Sequence, residues 1–179
     1  MTAPVQLIPL RCLRCETPLP AQPDEVAWVC QQCGQGLLLD EEAGLVPLAV
    51  HFAANVPGTA GRPFWVAKGQ VGLQRQTYHG SSRAKQEAAA MWDRRQRFFV
   101  PAFSCPLDVL VDVGARMLLN PPDLQPGEPV PFAPVTLSPL DVRPVAEFIV
   151  MAVEAERKDK LKALHFVVEM EQPELWILP

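Results

Sequence analysis

The chain has 179 residues, a little more than one typical domain, and a net charge of −4. Hydrophobic residues make up 49% and charged residues only 20%, which is apolar for a small monomer when average usage is about 25% charged. That balance points to surface buried against something else, and no run approaches the ~18 uncharged apolar residues of a membrane span, so none is expected.

The first signal along the chain is four cysteines in two pairs, Cys12-Leu13-Arg14-Cys15 and Cys30-Gln31-Gln32-Cys33. In each Cys-x-x-Cys the two middle residues make a tight turn that points both sulfurs the same way, and Gly34 supplies backbone freedom after the second pair. The 14 residues between the pairs are enough for a short hairpin. This pattern resembles a zinc ribbon over residues 8–46. The resemblance implies one structural Zn²⁺ on Cys12, Cys15, Cys30 and Cys33, with no open position for water or substrate. Rubredoxin-type iron sites are similar in ligand set, but they hold the pairs farther apart with more aromatic residues between, whereas here only Trp28 is available. Disulfides would need an oxidising compartment. The start Met1-Thr2-Ala3-Pro4-Val5 has neither the basic residues nor the apolar run of a signal peptide, so reduced thiols and a cytoplasmic protein are expected.

A metal-dependent unit of about 40 residues leaves roughly 130 for a second unit with its own core. The expected organisation is a zinc ribbon over 1–46, a linker over 47–62 and an α+β domain over 63–179. Strands are predicted at 64–66 and 71–78, separated by the turn signal Lys68-Gly69-Gln70. Ser81 and Ser82 offer an N-cap for a helix over 83–97, where Ala84, Ala88, Met91, Trp92 and Arg95 form one stripe. Phe98-Phe99-Val100 reads as an edge or bulged strand because Pro101 follows. Ser104 and Pro106 then open a second helix through Leu107, Leu110, Val111, Gly114, Met117 and Leu118, ending at Asn120-Pro121-Pro122.

Residues 121–144 contain eight prolines and read, within a connector spanning 120–144, as an extended segment laid across a partner. Ser138-Pro139-Leu140-Asp141 mimics a capping box, but Pro144 argues that nothing long starts there. A C-terminal hairpin is predicted, with strands at 145–157 and 161–171 around Lys158-Asp159-Lys160. Val142, Val145, Ala146, Ile149 and Val153 also match helical spacing; strand is preferred from Phe148 onward. The apolar end, Leu175-Trp176-Ile177-Leu178-Pro179, reads as a last strand or a segment docked on another subunit.

Charge is uneven: net −4 over residues 1–61, +6 over 62–97 and −6 over 98–179. Arg83, Lys85, Arg94, Arg95 and Arg97 are therefore candidate contacts for an acidic partner or for nucleic acid, with Trp92 or Tyr78 stacking. The ribbon itself is acidic apart from Arg11 and Arg14, which disfavours nucleic acid. No nucleophile elbow or phosphate loop is present. Cys105, at a helix N-terminus and pairing with His51 or His79, is the one candidate nucleophile, and a small buried hydrophobe is the simpler reading of it. His165 reads as a surface or interface residue. The function expected is a non-catalytic accessory subunit binding proteins in a larger assembly; a nucleic-acid-binding ribbon protein and an enzyme using Cys105 are the alternatives.

Overall fold

A computed structural model describes residues 8–56, 60–79 and 82–179, except the side chains of His79 and Ser82. The expected cap by Ser81 or Ser82 thus lies outside the described residues. The fold is α+β. Strands β1 (Ala27–Val29), β2 (Gly36–Asp40) and β3 (Gly44–Leu48) form an antiparallel sheet in that order. Its β2–β3 turn is held by Asp40, whose Oδ1 accepts from the backbone N–H groups of Ala43 and Glu42 at 2.7 and 2.9 Å, and Gly44 takes the positive φ of +78° that the turn needs.

The second sheet contains β4 (Val50–Phe52), β5 (Arg62–His79), β6 (Gln96–Pro101), β7 (Lys160–Met170) and β8 (Glu174–Leu178). β5 is its spine. On one edge it pairs with β6; on the other, β8 and β7 follow one another along its length, and β4 adds in parallel outside β8. β5 is a single strand of 18 residues, not the two predicted strands. Lys68-Gly69-Gln70 makes no turn because Gly69 serves close approach instead: a Cβ there would lie 3.0 Å from the Glu169 carbonyl oxygen and 3.2 Å from the Phe98 ring.

Among the described residues three helices complete the fold: α1 (Ser82–Trp92), α2 (Leu107–Leu119) and α3 (Val142–Ala155), the last entered through a 3₁₀ turn at Pro139–Asp141. α1 stops five residues short of the predicted end at 97, since Gln96 opens β6 and its side-chain Nε2 donates to the carbonyls of Met91 and Arg94. α3 replaces the strand predicted over 145–157, so the C-terminal hairpin is not formed. Pro144 is the third residue of α3, within the first turn, where its missing N–H would have had no intrahelical acceptor. Ser138 starts the element, its Oγ accepting from Leu140 N at 3.3 Å, and Val142, Val145, Ala146, Ile149 and Val153 are the buried stripe. α2 packs closely against both α3 and β6: a Cβ on Gly114 would meet Ile149 Cδ1 at 2.3 Å and the Phe99 carbonyl oxygen at 3.2 Å.

The proline-rich stretch is extended, as predicted, but it is bonded into its own chain rather than left free for a partner. Prolines lack a donor, yet the carbonyls remain: Val135 O accepts from Val26 N and Pro131 O from Gly61 N, both at 2.8 Å. Thr136 N donates to Ala102 O at 2.7 Å, and Trp65 Nε1 to Leu137 O at 2.7 Å. Residues 47–62, expected to link two units, contain β4, and Ala27 of β1 belongs to the same buried cluster as Trp65, Val135, Ile149 and Ile177. Among the described residues no helix is long and apolar enough to cross a membrane.

Candidate metal centre

The two cysteine pairs fold alike. Cys12 O accepts from Glu16 N at 3.0 Å and Cys30 O from Gly34 N at 2.8 Å; Cys12 N and Cys30 N in turn donate to Thr17 O and Gln35 O at 2.9 and 2.8 Å. The residue after each pair has positive φ, Gly34 at 73° and Glu16 at 59°. Glycine was the legible half of this repeat; glutamate adopts the same conformation without the sequence signal. These matched turns bring all four sulfurs within 4.8 Å of one another, with Cys12 and Cys33 Sγ 3.5 Å apart and Cys15 and Cys30 Sγ likewise 3.5 Å apart.

That spacing fits a metal ion. Four sulfurs arranged tetrahedrally around an ion at about 2.3 Å lie roughly 3.8 Å from one another. Cys12 and Cys30 are buried, and Leu19, Trp28 and Leu37 pack around them. Ionisation of the thiols is strongly unequal. Hydrogen bonds from the Thr17 hydroxyl and backbone lower Cys15 to about 6. The Gln35 backbone N–H favours the Cys33 thiolate, but burial and the three neighbouring sulfurs together outweigh it and push Cys33 up to about 12. Burial opposes ionisation of Cys12, yet the Arg14 and Cys15 backbone groups bring it below the ordinary thiol value. Cys33 thus resists ionising beside the neighbouring sulfurs, and a central cation would remove that conflict. The cluster can hold one metal ion, and its four ligands fill a four-coordinate shell.

Of the candidate basic residues, Arg95 and Arg97 line one concavity together with Lys68, whereas Lys85 borders a different one. Arg83 is paired with Glu87 at 2.8 Å, Arg95 with Glu171, and Arg94, Arg95 and Arg97 follow the end of α1 rather than continuing its helix. Lys85 borders a groove of about 570 Å³ between α1 and β5, with Trp92, Asp93 and His165. Arg97 sits directly across from Lys68 on β6 and β5. Cys105 packs partly buried against the main core, and burial, reinforced by Asp108, raises its thiol above the ordinary value, opposite to the activation expected from a helix terminus. Among the described residues no hydrogen bond joins it to a histidine; His51 instead stacks on Trp176 with ring centroids 4.9 Å apart. The His79 side chain lies outside the described residues.

Two features escaped the sequence reading. Arg75 and Glu154 form an ion pair at 2.8 Å that lacks hydrogen-bond alignment, with side chains 4% and 0% exposed. Trp92 Nε1 and Arg157 Nε donate to Glu154 Oε1 at 2.7 and 2.6 Å, and Arg75 also clasps Asp159. The basic segment's Arg75 is therefore an internal cation. The second feature is a groove of about 590 Å³ between α2 and α3, walled by Leu107, Val111, Phe148 and Met151. Phe148 and Met151 lie off the buried stripe of α3, so the groove is legible only once 145–157 is read as helix. No protein-family model, curated protein or solved structure matches the chain.

Proposed function

We propose that this chain is a non-catalytic accessory protein whose N-terminal part is a zinc ribbon and whose role is to bind other proteins. Zinc suits the site because four thiolates at tetrahedral spacing are its usual structural shell, and a shell filled by protein sulfurs holds a fold rather than turning over substrate. The observation carrying the binding role is the groove between α2 and α3, in which Leu107, Phe148 and Met151 remain 56, 46 and 39% exposed. Large apolar side chains gathered in one concavity are a surface that association with a partner would bury. The nucleic-acid alternative draws less support, because Arg75, Arg83 and Arg95 are answered by acids of the same chain.

Native mass spectrometry of protein isolated from its own cells tests the metal: one zinc per chain is expected, and iron or no metal refutes the zinc assignment. A photo-crosslinking amino acid placed at Met151 in those cells tests the role. Adducts that survive nuclease and are digested by protease are expected; nuclease-sensitive adducts would replace this reading with the nucleic-acid one, and absence of adducts would remove its support.

A further inference from the structure

The α2–α3 groove carries a charge as well as a shape. Leu107 and Asp108 at the start of α2, with Glu156 just past the end of α3, border the same concavity, and Asp112 lies one turn further along α2. Asp112 shares its charge with Arg116 at 2.8 Å. Among the described residues Asp108 and Glu156 have no ion-pair partner. The groove is thus an apolar trough with an acidic rim.

We propose that it receives an amphipathic helix of another protein, whose apolar face fills the trough and whose flanking lysines or arginines meet Asp108 and Glu156. This inference rests on the protein-binding reading above and names the partner's chemistry. Two packed helices leave a groove that a third helix can occupy with side chains at i, i+3, i+4 and i+7. The rim selects the charge: a second copy offering the same face would set like charges together, as would an anionic membrane or a nucleic acid. The chain's own basic helix cannot fill the trough from another copy, because Ala88 and Trp92, the anchors of its apolar stripe, are already buried.

The test uses the full-length, metal-loaded protein and fluorescence anisotropy with three labelled 18-residue probes: a Leu/Lys peptide with a helical apolar stripe, a Leu/Glu peptide with the same stripe, and a scrambled Leu/Lys peptide. The striped Leu/Lys probe is expected to bind, with affinity falling as salt rises. Its affinity should drop roughly 10-fold with Asp108→Lys plus Glu156→Lys, and by a similar factor with Phe148→Ser plus Met151→Ser. All four positions are exposed, so both variants should keep a single cooperative melt with at most a small drop in midpoint. The inference is overturned if no probe binds, if the Leu/Glu or scrambled probe binds equally well, or if the charge reversal leaves affinity unchanged. A homodimer dispersed by Phe148→Ser plus Met151→Ser would make the occupant a second copy and overturn it too. If the probes fail while a crosslinker at Met151 still captures protein, only the helix inference falls; if both fail, the binding role falls with it.

Discussion

Glu154→Gln is the sharpest test of how the main core is held. The substitution keeps an oxygen that can accept from Trp92 Nε1 and nearly the same volume, so the change is confined to one charge. Without it, among the described residues, Arg75, whose side chain is 4% exposed, retains only Asp159 and Arg157 has no carboxylate partner. Breaking a buried pair by removing one partner costs about 3–5 kcal/mol, because the surviving charge stays desolvated. Arg157 is 17% exposed and can turn toward water, which places the expected loss near the lower figure, about 3 kcal/mol. That is a large part of the roughly 5–15 kcal/mol that holds a domain together. Urea unfolding followed by tryptophan fluorescence reads it as a lower midpoint at unchanged slope. Arg75→Met removes the opposing cation, so combining it with Glu154→Gln should cost less than the two single changes added, with a coupling of at least about 1 kcal/mol. A loss under about 1 kcal/mol for Glu154→Gln, or strict additivity in the double variant, would refute the buried-cluster account.

Acid should act on the same cluster. The Arg75 hydrogen bond holds the Asp159 carboxyl below the usual carboxylate range; its stabilisation is therefore complete above the unfolded value near pH 4 and lost as pH falls through the lower folded value, so Asp159→Asn should flatten the acid limb of a stability–pH curve. Cys30→Ser plus Cys33→Ser should abolish stoichiometric bound metal in elemental analysis. It should also lower the whole protein's melting temperature, because Ala27 lies in the main core; an unchanged second transition in calorimetry would instead mean two independent units. Gly114→Ala places a Cβ 2.3 Å from Ile149 Cδ1 and should cost about 1–3 kcal/mol in urea unfolding, with Ile149→Val in the same chain recovering part of it. Among the described residues Trp28 Nε1 is buried without a hydrogen-bond partner, so Trp28→Phe should lower thermal stability only by the ring packing it gives up in the cluster around the cysteines.

Local patterns were legible and long-range ones were not. The metal cluster could be read because its ligands are fixed by two short turns, and α2 because Pro106, its apolar stripe and Asn120 agree with one another. The buried stripe of α3 was visible too, in Val142, Val145, Ala146, Ile149 and Val153, but Pro144 counted against it when only its position relative to the helix start mattered. Lys68-Gly69-Gln70 carried a turn composition, while the reason for Gly69, the Phe98 ring and the Glu169 carbonyl beside it, comes from residues 29 to 100 positions away. The cluster of Arg75, Glu154 and Asp159 is likewise invisible in sequence, since nothing local distinguishes a buried arginine from those of a solvated basic segment.

The proline-rich stretch gives the metal centre a bearing on the distant groove. Val26, which leads into β1 near the cysteines, donates to Val135 O; the two following residues, Thr136 and Leu137, donate to Ala102 O; and Ala102 begins the segment that leads through Cys105 into α2. Fixing the cysteine pairs therefore fixes one anchor of the connector, and the connector fixes the entry to the helix that carries Leu107 and Asp108. Proline suits such a connector, because its backbone loses less freedom on ordering and its carbonyl still accepts from the strands it crosses. On this arrangement a closed metal site need not touch a partner to matter for binding one. It orders the small N-terminal sheet, and through Val135 that order extends to the base of the α2–α3 groove.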